Sequence, residues 1–118
     1  MALIHAYRSR GLTRDITIED ADGEAIVVGD NDEIRAMIGR EGAAVLLTVA
    51  SDAPTAAGSS FTPNSPSSGL NRLRLDATDL AALAAGIYTL YVDYYDNADA
   101  AEWKNVSRQI FSLEESEA

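Results

Sequence analysis

Apolar and polar positions alternate along much of the chain. Ile16 and Ile18 alternate with Asp15, Thr17 and Glu19, and Ile34, Ala36 and Ile38 with Glu33, Arg35 and Met37. Leu73 and Leu75 alternate with Arg72 and Arg74, and Tyr88, Leu90, Val92 and Tyr94 with Ile87, Thr89, Tyr91 and Asp93. A period of two sends successive side chains to opposite faces of a strand, so one face can be buried and the other wetted. Turn signals separate these runs: Asp22-Gly23, the Gly29-Asp30-Asn31-Asp32 stretch after a short run at 25–28, the Gly39 to Gly42 region before an apolar run at 43–50, and Asp96-Asn97-Ala98-Asp99. Short strands with regular turns predict an all-β chain, an immunoglobulin-like antiparallel sandwich of about seven or eight strands in one domain over 1–118.

Three stretches depart from the alternation. Residues 51–69 carry all three prolines and most of the serines, and read as a long mobile loop. Residues 76–85 read as a short connecting helix, with Asp76 or Thr78 as cap, Leu80 and Leu83 on one face, and Gly86 placed to stop it. The last strand has mixed parity, Val106 and Ile110 against Phe111 and Leu113, which a β-bulge would reconcile. The acidic end from Glu114 reads as a frayed tail.

The most specific pattern is Leu80-x-x-Leu83-x-x-Gly86-x-Tyr88-x-Leu90-x-Val92. A tyrosine two residues after a glycine, at the head of an alternating strand, predicts a tyrosine corner. The ring packs in the core while the hydroxyl bonds the backbone of the preceding connection. Leu83, Gly86, Tyr88, Leu90 and Val92 are therefore the expected structural residues.

Arg10-Gly11, the stretch Ile16-Thr-Ile-Glu-Asp-Ala-Asp22-Gly23, Ile34-Arg-Ala-Met-Ile38 and Leu75-Asp-Ala-Thr-Asp-Leu…Gly86-x-Tyr88 together resemble the small β-sandwich domains of tailed-phage baseplate and tail proteins. The upper baseplate protein N-terminal domain is the nearest type. That family often has a Thr-Gly step after the first Asp-Gly turn, where this chain has Ala25-Ile-Val-Val-Gly29. The resemblance implies a virion component assembled by protein–protein contacts, with no catalytic residues to carry over.

Composition then narrows the chemistry. The chain of 118 residues has a formal net charge of −10, which repels nucleic-acid phosphates and anionic lipid headgroups. No nucleic-acid or membrane partner is expected. With no secretory leader and no membrane-length apolar run in the sequence, the expected site is cytoplasmic as made, with incorporation into a virion-like particle implied by the resemblance. The absence of cysteine removes disulfides, thiolate metal sites and a cysteine nucleophile. His5 is the only histidine, and no Gly-x-Ser-x-Gly elbow or phosphate-binding glycine loop accompanies it. We therefore expect a non-catalytic module without cofactor or metal.

Two features keep binding chemistry open. Oxygen ligands cluster at Asp20, Asp22 and Glu24, at Asp30, Asn31 and Asp32, and at Asp93, Asp96, Asn97 and Asp99, where calcium could bind, although turns favour these residues for backbone reasons too. With Tyr88 inward, Tyr91 and Tyr95 point outward on a strand expected to pair with the one holding Trp103. Such a patch suits a protein partner, a second copy of the chain, or a sugar ring, unless the 51–69 segment covers it. The leading expectation is a structural, assembly module, and the alternative is a carbohydrate-binding or calcium-dependent adhesion module.

Overall fold

The structure is a computed structural model that describes residues 3–115 apart from 21, 29–31, 41, 52, 66–69 and 97–101. Its elements are β1 (Leu3–Tyr7), β2 (Leu12–Thr17), β3 (Glu33–Gly39), β4 (Val45–Ala50), β5 (Ser60–Ser65), β6 (Leu70–Leu75), α1 (Ala77–Ala81), β7 (Gly86–Asp96) and β8 (Glu102–Glu114). A five-stranded sheet in the order β1-β8-β7-β3-β4 packs on a three-stranded sheet in the order β2-β6-β5. This is an all-β sandwich with immunoglobulin-like connectivity: the β8-β7-β3-β4 and β2-β6-β5 groups interleave along the chain as the two sheets of that fold do. Among the described residues all strand pairings are antiparallel except one. β1 runs parallel to β8, with Ile4 opposite Phe111 and Ala6 opposite Leu113.

The alternating residues meet between the sheets. Ile34, Ala36 and Ile38 of β3, Tyr88, Leu90 and Val92 of β7 and Phe111 and Leu113 of β8 are buried against Ile16, Phe61, Leu73 and Leu75 of the smaller sheet. Leu90, two residues beyond Tyr88, stands where antibody domains carry the second cysteine of their inter-sheet disulfide, and it is fully buried. In this cysteine-free chain aliphatic packing fills that place.

The connection from β6 to β7 is fixed from both ends. Asp76 caps α1 by accepting the Thr78 N–H at 2.9 Å, and Leu80 and Leu83 turn into the core. The helix is shorter than the 76–85 expectation: its last turn tightens, with Ala82 N–H donating to Asp79 O and Leu83 N–H to Leu80 O, and Arg8 caps the carbonyls at its end. Its Nε donates to Leu83 O and its Nη2 to Ala81 O, both at 2.7 Å. Gly86 therefore does not stop the helix. It opens β7 with φ of +155°, and a Cβ there would lie 3.0 Å from the Arg40 guanidinium, which sits 5.0 Å from the Tyr88 ring centroid. The Tyr88 hydroxyl donates to Ala84 O, across the connection before its own strand.

Other expectations are corrected. The 51–69 segment, read as a mobile loop, contains β5, anchored by the fully buried Phe61 opposite Leu73. Pro63 is accommodated because β5 is an edge strand, where one row of N–H groups needs no partner. Residues before β5 are tied to α1: Thr55 Oγ1 and the buried Ser59 Oγ both donate to Asp79 Oδ2, and Ser59 Oγ accepts the Asp76 N–H. The run at 25–28 forms one bridge, Ala25 with Glu19, and a bond from Ile26 N–H to Ile18 O. The acidic tail does not begin at Glu114, which closes β8 opposite Tyr7 and accepts the Arg8 N–H, while Glu115 pairs with the Arg8 side chain.

Candidate functional site

β7 and β8 form a long two-stranded ribbon whose register changes once. Val92 lies opposite Ser107, but Asp93 lies opposite Asn105, so Val106 is an extra residue in β8. Without that residue, Trp103 would share the parity of Phe111 and face inward. The bulge turns it to the outer face, directly opposite Tyr95.

On that face a cluster forms around an ion pair. Arg35 Nη2 lies 3.1 Å from Asp93 Oδ2, Asn105 Nδ2 donates to Asp93 Oδ1 at 3.0 Å, and the Arg35 guanidinium stacks 4.0 Å from the Trp103 ring centroid. Tyr95 leans on the same indole, with ring centroids 5.4 Å apart. Although Asp93 is on the outer face, it is only 8 % exposed, because these side chains cover it. One step along the sheet Arg108 stands 5.2 Å from the Tyr91 ring centroid, with Met37 opposite Tyr91 on the other side.

The far end of the same face is aliphatic. Ile110 lies between Leu3 of β1 and Thr89 of β7, and Ile87 lies one row on, opposite Ser112. Leu3, Ile87 and Ile110 are 46 %, 63 % and 38 % exposed. The outer face thus runs from an arginine–aromatic cluster to an exposed aliphatic patch. No described strand or helix lies over it: β5 belongs to the other sheet and residues 55 and 59 are bonded to α1.

A cavity of about 730 Å³ opens at the Trp103 end on the inner side of β8. Its walls are Ala25, Ile26 and Val27 on one side and Tyr94, Lys104, Asn105 and Val106 on the other, with Glu19 and Asp20 beside them. The Tyr94 hydroxyl donates to Asp32 Oδ2 at 2.9 Å.

Of the residues singled out from the sequence, Tyr91, Tyr95 and Trp103 share the outer face, while Leu83, Tyr88, Leu90 and Val92 are in the core. One carboxylate of each acidic cluster is engaged internally. Asp20 Oδ1 accepts the N–H groups of Asp22 and Glu24 and shapes the Gly23 turn. Asp32 holds Tyr94 and Asp93 holds Arg35. Among the described residues no three His, Cys, Asp or Glu side chains gather as a metal site, and Asp30, Asn31, Asn97 and Asp99 lie outside those residues. His5 is exposed, 3.9 Å from Glu114 Oε1 and beside Ser112 in register, with no hydrogen bond between His5 and Ser112. No described helix is long and apolar enough to cross a membrane.

Sequence reasoning missed Arg35, Asn105 and the cavity walls, and took Asp93 as a calcium oxygen where it is the partner of Arg35 and Asn105. Arg35 and Asp93 did carry a signal, since both fall on outward positions of alternating strands. Comparison with known protein families and with curated proteins gives no match to this chain.

Proposed function

We propose that the chain is a non-catalytic assembly module that docks a partner protein on the outer face of its five-stranded sheet. The observation that carries this reading is the continuity of that face. Trp103, Tyr95, Tyr91 and two arginines adjoin exposed Ile110, Ile87 and Leu3. Tryptophan, tyrosine and arginine are the residues that most often carry interface energy, and contiguous exposed aliphatics mark contact surfaces. The net charge of −10 makes a different protein the better occupant than a second, equally acidic copy. Given the resemblance to tailed-phage baseplate and tail domains, the form of this reading is a virion component. A sugar-binding role is less well supported, because one approach to the Trp103 ring is taken by Arg35.

The test is fractionation of assembled particles from the producing cell. The chain should sediment with particles, and Ile110→Glu and Tyr91→Ala should leave it in the soluble fraction while its melting temperature is unchanged. A chain that stays soluble, or variants that sediment like the parent, would overturn the reading. Light scattering over a wide concentration range separates self-association from docking on another protein.

A further inference from the structure

Arg35 and Asp93 stand directly opposite each other on β3 and β7, and Asp93 stands directly opposite Asn105 on β8. Trp103 lies one row further along β8, opposite Tyr95. To reach 4.0 Å from the indole centroid, the Arg35 side chain crosses β7 diagonally, toward a strand whose backbone is two spacings, about 10 Å, away. The Asp93 carboxylate supports the middle of that span. Its Oδ2 lies 3.1 Å from Arg35 Nη2, and its Oδ1 accepts Asn105 Nδ2 at 3.0 Å. One carboxylate thus fixes side chains from the strands on both sides of it.

The arrangement is a poor device for stability. Asp93 is covered, and taking an ion pair largely out of water offsets most of what its attraction gains. Arg35 Nε is also buried, and no acceptor for it lies among the described residues. The guanidinium gives up a hydrogen bond in the position that places it over the indole. What the cluster secures is orientation. Arg35 lies over the ring and Tyr95 leans on it at 51°, so the indole is held by two neighbours at once.

We propose that Asp93 is a positioning residue: through Arg35 it holds the Trp103 indole in its docking orientation before a partner protein arrives. This rests on the reading of the outer face as a docking surface. Tryptophan is among the residues that most often fill a partner's pocket, and ordering a mobile side chain on contact weakens binding. An indole that is already held avoids that loss. Asp93 itself is too covered to be the main contact, so its influence passes through Arg35 to the ring.

Trp103 is the only tryptophan, so the decay of fluorescence anisotropy reports this ring alone. In the parent the indole should turn only with the whole molecule. Asp93→Asn removes the charge at nearly constant size, and Arg35→Lys keeps both charges but loses the flat guanidinium. Each should add a fast component to the decay, on the picosecond to nanosecond scale of free side chains. Each variant is then produced in the same cells as the parent. Its ratio to the parent in assembled particles, divided by that ratio in the soluble fraction, should fall about three- to tenfold. If Asp93→Asn does not fold, Arg35→Lys carries both readings. A fast component already present in the parent, its absence from the variants, or a freed indole with unchanged incorporation would each overturn the assignment while docking stands. A parent chain missing from the particles would overturn the docking reading itself, and the assignment with it.

Discussion

The two ends of the β7–β8 ribbon are built differently. At the closed end, Phe111 and Leu113 lie between β1 and β7, beneath the Tyr88 corner, and are buried. At the open end, beyond the Val106 bulge, the outer face carries Trp103, Tyr95, Arg35 and Asp93. Both halves bury an inner face, and they differ in the outer one: aliphatic and exposed at Ile87 and Ile110, aromatic and charged from Asp93 and Trp103 onward. The bulge divides them, because one extra residue exchanges the inward and outward sets. The sharpest way to break this division is at Phe111. Phe111→Ala should cost about 3–5 kcal/mol, the usual range for a large aromatic removed from a packed core. Urea melts that show a loss below 1 kcal/mol would mean that the closed end is not the core.

The next largest effect belongs to the corner. Tyr88→Phe keeps the ring but removes the donor to Ala84 O, and should cost about 1–3 kcal/mol by leaving a carbonyl short of its partner. Coincident urea transitions for the parent and the variant would show that the hydroxyl contributes nothing to the closed end.

The corner was legible in the sequence because it rests on local spacing. Glycine, tyrosine and the alternating residues after it lie within one short segment, and their parity alone sends Tyr88, Leu90 and Val92 inward. The bulge could be inferred only as a need, from the conflicting parities of Val106 and Phe111; its position depends on the partner strand. β5 was hidden because Pro63 argues against a strand until its edge position is known, and that position is a property of the sheet. Arg8 shows the same limit. It caps the end of α1 from across the chain, and no local pattern around residue 81 announces it. The outer-face cluster was half legible: the outward parity of Tyr91 and Tyr95 gave the aromatic side, but the covering of Asp93 by Arg35, Asn105 and Trp103 needs three strands in register.

At the open end Trp103→Ala should affect stability much less than Phe111→Ala. It removes an arginine–indole stack and a tilted ring contact at a half-exposed site, worth about 1 kcal/mol together. Loss of partner docking should be the larger consequence, read as disappearance from the particle fraction. A Trp103→Ala chain as destabilised as Phe111→Ala would erase the distinction between the two ends.

The smallest expected effect is a pH dependence confined to the closed end. Asp76 caps α1, and the Thr78 backbone N–H, then the Thr78 side chain, hold its carboxyl below the ordinary range, with Arg74 adding to them and partial burial opposing. Because the folded form binds the proton less readily than the unfolded chain, the stabilisation is fully present above the unfolded value. It is lost as pH falls through the lowered folded value. Hydrogen exchange at the α1 and Tyr88 amides should therefore accelerate at the acid edge of the native range in the parent. In Asp76→Asn that particular acceleration should be missing, while the amides of β3 at the centre of the sheet respond alike in both proteins. An identical acid response at α1 in the two proteins would assign it to other carboxylates, and would detach the cap from the closed end that it is expected to hold.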